Sequence, residues 1–399
     1  MPLPMWNRGS LDMERYAFML RNLFLLLCFI PMLTRAQHPE FHVQVAVCPV
    51  TEQPQLIQEI KSWLASDSQS SYRDTALEVL GTLYWGAKDW KSLDSLYSHG
   101  QYDSSEQGMI HFIHAISEAP AETFSIPQEK VKLRTGGYTR LGHLKLPCRV
   151  NGKKTKGYFD TGAGISLVSE SFAKKYGVQE LDSVATNALG ASGIAIGLRP
   201  GIIPELAFGD LKIKNCVVGI VADEVLEFKK LGIKWVDMDL ILGWTIWQEL
   251  GFSYNPHNQR FELGSSELFP HSDANMSWYS IPMTSFSLSG DTTQLLAELD
   301  FGGWESNFYP AFFERYPALE TGRNLDIMGG AGGYTTYENQ TSDAACVTTG
   351  NKIQCLEELR SRPFFPPYRF IQPHAVWGTS IGREHGFLIN APYGWFEVR

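Results

Sequence analysis

The chain has little charge for its size. Of its 399 residues, 19% are charged and 44% are hydrophobic, a globular composition that excludes a disordered or fibrous chain. It lacks a positive excess. Basic residues number 34 and acidic ones 43, so the net charge is −9 and no nucleic-acid partner is indicated. Cysteine is scarce, six in all, at spacings that do not resemble a zinc site. Neither metal nor cofactor is expected. Beyond residue 36 no apolar run is long enough to span a bilayer.

The one long apolar run lies at the front. Phe18 to Leu33 carries only Arg21 as a charge, and Thr34-Arg35-Ala36 then offers small residues at the positions a signal peptidase reads. Pro31 interrupts the run, which is too short for a comfortable membrane span. Residues 1–36 therefore read as a signal peptide, with Met19 as an alternative start. The expected product is exported, periplasmic or secreted, has no membrane span after cleavage and begins near Gln37. Five cysteines remain: Cys48, Cys148, Cys216, Cys346 and Cys355. An exported chain permits disulfides, and Cys346 and Cys355 are close enough in sequence to close a small loop.

Residues 37–125 read as a helical N-terminal domain. Leu56, Ile57, Ile60, Trp63 and Leu64 recur at helical spacing, as do Ala76, Leu77, Leu80, Leu83 and Tyr84. The segment holds 4 basic and 12 acidic residues, a charge of −8. That sign is wrong for masking a pair of carboxylates. A module that positions the rest, or binds an unknown protein partner, is expected instead. His111, His114 and Glu118 lie within two helical turns and read as solvated residues, not metal ligands.

After a linker the chain turns β-rich, with frequent glycine, aromatics and short β-branched runs. Here an apolar strand runs into an acid and a tight glycine turn: Phe159-Asp160-Thr161-Gly162-Ala163-Gly164-Ile165-Ser166. The pattern recurs 140 residues later without a gap, as Leu299-Asp300-Phe301-Gly302-Gly303-Trp304-Glu305-Ser306. Phe172 and Tyr176 fall on Phe312 and Tyr316, and Gly190-Ala191-Ser192-Gly193 on Gly330-Ala331-Gly332-Gly333. At an offset of 135, Gly243, Gly251-Phe252, Asn255 and Phe261-Glu262 fall on Gly378, Gly386-Phe387, Asn390 and Phe396-Glu397. One ancestral lobe has been duplicated, over 130–265 and 275–399.

The Asp160 loop resembles the active-site loop of aspartic peptidases of the retropepsin-like group. The likeness extends through the Leu242-Gly243 signature that packs beside such a loop. It implies a mainly β fold, with two pseudo-twofold-related retropepsin- or pepsin-like barrel lobes behind a small all-α segment. It also implies an aspartic endopeptidase acting on a peptide or protein. Asp160 and Asp300 would be the catalytic pair, sharing one proton. Thr161, Gly162, Ala163, Phe301, Gly302, Gly303, Leu242 and Gly243 would support the loops. Flap residues Gly190, Ala191, Ser192, Gly193, Gly330, Gly332 and Tyr334 would contact substrate. Asp237 and Asp239 are rivals for the second acid, better read as the start of a strand.

The second lobe departs from this pattern. In the family a threonine hydroxyl after the acid reaches the opposite loop's backbone, and Phe301 has none to offer. If that bond limits the site, Phe301→Thr is expected to strengthen the contact between lobes or raise activity. Three readings follow: a single-chain monomeric peptidase, a homodimer that uses Asp160 from each chain, or a peptide-binding protein that kept the cleft and lost the chemistry.

Overall fold

In this computed structural model, residues 48–66, 73–98, 104–182, 185–230, 233–278, 280–349, 352–363 and 372–399 are described. The expected signal peptide lies outside them. Four helices come first: α1 (Gln53–Ser66), α2 (Arg73–Gly86), α3 (Trp90–Ser98) and α4 (Ser104–Ser117). Their apolar spacing buries Leu56, Ile60, Leu80, Leu83 and Leu93 in one cluster, and Ile281, Met283 and Leu296 from the far end of the chain join it. α4 turns Phe112 and Ile116 into a different cluster, with Ile165, Leu167, Ile196 and Leu198. The helical segment thus packs on both halves of the β region.

Polar contacts fix this docking. Gln53 Nε2 donates to the Trp278 carbonyl at 2.9 Å. Lys88 Nζ lies 2.6 Å from Glu122 and 3.0 Å from Glu249, and donates to the Thr245 carbonyl at 3.1 Å. The Lys88–Glu122 pair is largely buried, so removing one partner would leave the other charge uncompensated. His114 is engaged by Asp94, at 3.1 Å through Nδ1.

The first lobe comprises β1 (Lys145–Val150), β2 (Lys153–Phe159), β3 (Ser166–Ser169), α5 (Glu170–Tyr176), β4 (Thr186–Leu189), β5 (Ala195–Phe208), β6 (Leu211–Val221) and β7 (Leu240–Leu242). Six of its strands close a barrel in the order β7-β2-β1-β5-β6-β3, with β3 returning to β7. Alternation fills it: Leu144, Leu146, Val150, Phe208, Leu211 and Ile213 are fully or almost fully buried.

After α6 (Trp244–Trp247), β8 (Gly251–Asn255) and β9 (Arg260–Gly264) lead out of the barrel. The second lobe repeats the plan. Its elements are β10 (Pro282–Leu288), β11 (Leu295–Leu299), β12 (Asn307–Phe308), α7 (Pro310–Arg315), β13 (Gly322–Gly330), β14 (Gly333–Thr349), β15 (Lys352–Arg360) and β16 (Ala375–Trp377). β16 runs parallel to β11 as β7 runs parallel to β2. Closure is weaker here. In the first lobe β3 and β6 pair over four residues. In the second, one parallel bridge, Phe308 to Ser361, takes that place. The expected Cys346–Cys355 disulfide forms, across facing residues of β14 and β15.

The last strands, β17 (Phe387–Asn390) and β18 (Trp395–Val398), pair with β8 and β9 in one five-stranded sheet, completed by the strand Val131–Arg134. Both lobes therefore share a floor. Phe252 and Phe261 stack in it at 5.8 Å, and Phe159 of β2 packs on it, edge-on to Phe252 and Phe261 at 5.6 and 5.1 Å and stacked on Phe387 at 6.0 Å. Aromatic packing of this kind stabilises beyond the area it buries.

Candidate active site

Each acid stands where a buried strand ends. The Asp160 N–H donates to the Leu242 carbonyl at 3.1 Å, and the Asp300 N–H to the Trp377 carbonyl at 3.0 Å. The Gly243 N–H is held by Ser166 Oγ at 2.9 Å, and the Gly378 N–H by Ser306 Oγ at 3.2 Å. Thus the serines repeated in the sequence do the same work in both lobes. They tie the glycine signature to the acid loop.

The two loops interlock across the lobe boundary. A Cβ on Gly162 would overlap the Asp300 carboxylate, and one on Gly302 would overlap that of Asp160. Only glycine permits this approach. Asp160 Oδ1 accepts from the Gly162 and Ala163 N–H groups at 2.9 and 3.0 Å, while Asp300 Oδ1 accepts from Gly303 at 3.2 Å. Burial, then the neighbouring Asp300 carboxylate, push the Asp160 carboxyl up; the two N–H groups offset part of this.

Thr161 is fully buried and locks the loops. Its hydroxyl donates to the Leu299 carbonyl at 2.5 Å and accepts from the Phe301 N–H at 2.9 Å. No hydroxyl answers from the second lobe. The fully buried Phe301 side chain turns into the shared floor instead, 4.3 Å from the Phe387 ring and 6.2 Å from those of Phe159 and Phe396. This alters the expectation for Phe301→Thr. The smaller residue would open a hole in a packed aromatic layer.

A cavity of about 440 Å³ lies between the acids and two hairpins. Ile165, Leu167, Ile196, Leu198, Met238 and Ile241 give its first-lobe side an aliphatic wall. Phe112 and Ile116 of α4 pack behind that wall. The β4–β5 tip (Gly190, Ala191) and the β13–β14 tip (Gly330, Ala331) form a roof. They touch: a Cβ on Gly190 would overlap the Ala331 carbonyl oxygen. Gly332, at φ 89°, donates its N–H across to the Val225 carbonyl at 3.0 Å.

Ser192 is buried and Gly193 turns the first tip at φ 75°, but neither lines the cavity. Tyr334 is 69% exposed and stands away from it. Asp239 is occupied by Ser169 Oγ at 3.0 Å, outside the cavity. The Asp237 side chain lies outside what is described. Among the described residues, no group of three or more His, Cys, Asp or Glu is arranged to hold a metal ion.

Residues 146–246 match the family model described as aspartyl protease. The chain is also similar to the crystal structure of a retropepsin-like aspartic protease from Rickettsia conorii, at 16% identity and a TM-score of 0.25, over 37% of this chain and 96% of that one. No curated protein matches the chain.

The family-model match ends before the second lobe, where the site holds groups that sequence reasoning missed. Arg362 lines the cavity with Nη2 3.4 Å from Asp300 Oδ2, and both side chains are 16% exposed. Its guanidinium lies 5.8 Å from the centre of the Tyr309 ring. The Tyr309 hydroxyl donates to Glu298 Oε2 at 2.5 Å, and Glu298 precedes Asp300 by two residues on β11. Burial pushes the Glu298 carboxyl up to about 7, although Tyr309 and Arg362 act against it. Burial opposes the Arg362 charge, but Tyr309, Asp300 and Glu298 outweigh it and push its pKa up. His143 also lines the cavity; burial lowers its pKa, opposed by the Gly302 backbone and Asp300.

One signal for this cluster was visible. Glu298 is the lone charge in Leu295-Leu296-Ala297-Glu298-Leu299, and a buried carboxyl in an apolar strand implies a partner. Arg362 had no such signal, because the sequence of its segment has no match in the first lobe.

Proposed function

We propose that the chain is an aspartic endopeptidase in which Asp160 and Asp300 share one proton. One observation carries the reading: each acid is packed against the glycine of the other acid's loop. The cleft suits an extended peptide beneath the two hairpins, with an aliphatic side chain against the first-lobe wall.

The chemistry follows from the pair. The ionised acid takes a proton from water as the water oxygen bonds to the peptide carbonyl carbon. The protonated acid gives its proton to the carbonyl oxygen, and a tetrahedral diol forms. As the C–N bond breaks, the acid that gained a proton passes one to the leaving nitrogen, while the other regains its own from the diol. The interlocked loops of one chain favour a monomer over the dimer that uses Asp160 twice.

A second reading, peptide binding without cleavage, is favoured by the missing second hydroxyl and by Arg362 on Asp300. The two separate on one experiment. Asp160→Asn and Asp300→Asn should each abolish cleavage of an unfolded protein between pH 3 and 8 while leaving peptide binding measurable. Binding without cleavage by the unaltered chain would select the second reading.

The exported location remains part of the proposal, on the apolar run before Gln37. N-terminal sequencing of secreted or periplasmic protein should find a start near Gln37. An uncleaved N-terminus would overturn it. The described residues contain no helix long and apolar enough to cross a membrane.

A further inference from the structure

The pair of acids is not symmetric in its surroundings. Asp160 meets only backbone N–H groups of its own loop, whereas Asp300 meets an N–H and a guanidinium. The residue is anchored through its backbone and its cation packs on a ring. The backbone N–H of Arg362 donates to the Phe308 carbonyl at 2.9 Å, next to the bridge that closes the second lobe. The Tyr309 ring lies under the cation, and Tyr309 is tethered to the buried Glu298. A guanidinium anchored and buried in this way faces one carboxylate and is not a mobile surface charge.

We propose that Arg362 is a positioning residue that fixes Asp300 as the charged, water-activating member of the pair and leaves the shared proton on Asp160. The inference rests on the paired-acid reading. In a symmetric pair either acid can hold the proton, so half of the encounters start from the wrong arrangement. Here the cation selects one arrangement before substrate arrives. Asp300 then takes the proton from water, and Asp160 gives its proton to the carbonyl oxygen. The titratable groups around the two are Asp160 and His143 from the first lobe, with Glu298, Tyr309 and Tyr337 from the second. Lys145 faces His143 and Arg360 faces Tyr337, but Arg362 is the cation that meets Asp300 itself, so its removal has a definite sign. Both limbs of the pH profile move upward.

The test compares unaltered protein with Arg362→Met, Arg362→Gln and Arg362→Lys. The first readout is kcat/KM against pH, on a quenched fluorogenic peptide with leucine on each side of the cleaved bond. Both neutral variants should shift the limbs upward by about one pH unit or more, the usual effect of an opposite charge within 4–6 Å. Arg362→Lys should stay near the unaltered profile. Unmoved limbs, or a rise in KM alone, would overturn the proposal, the latter by making Arg362 a substrate contact.

The second readout needs no cleavage. It titrates the aspartate carboxyl carbons by NMR, with Asp300→Asn to assign the signal. The Asp300 signal should titrate at higher pH in the neutral variants. If the unaltered chain cuts nothing and this shift still occurs, the peptidase reading falls and the role of Arg362 in charging Asp300 stands. An unshifted signal in whichever neutral variant folds, judged by circular dichroism, overturns it.

Discussion

Asp160 and Asp300 close strands of matching register, yet the residue after each does opposite work. Thr161 spends its hydroxyl on the opposite backbone, making two hydrogen bonds across the boundary. Phe301 points its ring into the floor and makes none from its side chain. Even so, the bonds that shape each loop are the same: an acid N–H to the signature strand, and a serine Oγ to the signature glycine. The loop geometry thus depends on Ser166 and Ser306 and on close-packed glycine. The threonine is a lock between loops, and one lock reaches both sides.

The largest effect should come from the acids themselves. Asp160→Ala and Asp300→Ala should each cost about 10²–10⁴-fold or more in kcat/KM, the range for general acid–base groups. Equal losses would sharpen the view of two halves of one site. Retained activity in Asp300→Ala alone would break it and revive the homodimer.

Next come the two residues that differ. Phe301→Ala should lower unfolding free energy by about 3–5 kcal/mol, as for other buried phenylalanines. Phe301→Thr should also destabilise, since it too empties the aromatic layer. Thr161→Val should cost about 1–3 kcal/mol, because it leaves the Leu299 carbonyl and Phe301 N–H without their partner. Urea denaturation measures all three. A gain in stability from Phe301→Thr would show that the lost hydroxyl matters more than the ring.

A smaller effect concerns pH. The folded-state pKa of Asp160 is raised, so the folded chain holds a proton that the unfolded chain has already released. Stability from this group is full below the ordinary carboxyl range and is lost as pH rises toward the raised value. Asp160→Asn removes that loss. It should unfold at a higher temperature than the unaltered chain at pH 7, with the gap closing toward pH 4. A gap that is constant with pH would mean burial does not perturb the acid. Smallest of all, Cys346→Ser should leave cleavage unchanged and cost about 2 kcal/mol or less, because the bridge closes a short hairpin.

Much of the first lobe was legible because its strand periods and glycine turns follow one another in order, from the hairpin before Asp160 to the Leu242-Gly243 signature. The duplication was legible because repeated residues hold repeated bonds: Ser166 and Ser306 recur in sequence for the reason they recur in space. Three things were not legible. The direction of the Phe301 ring depends on Phe387 and Phe396, some ninety residues away. Arg362 reaches Asp300 from the end of a hairpin whose sequence has no match in the first lobe. The span of the helical segment across both lobes depends on α4, which turns Ile113 to the cluster of α1 and α2 and Phe112 and Ile116 to the cluster of the first lobe, a division that periodicity within the helix does not fix.

The roof above the acids sets an order of events. Gly190 lies against Ala331, and Gly332 bonds across to Val225, so each hairpin tip shields the backbone of the other lobe. Neither rises alone without stripping hydrogen bonds or packing from its neighbour. On the peptidase reading, peptide loading and product departure require one joint motion of two hairpins, a demand set by the seam between the lobes and separate from the acids.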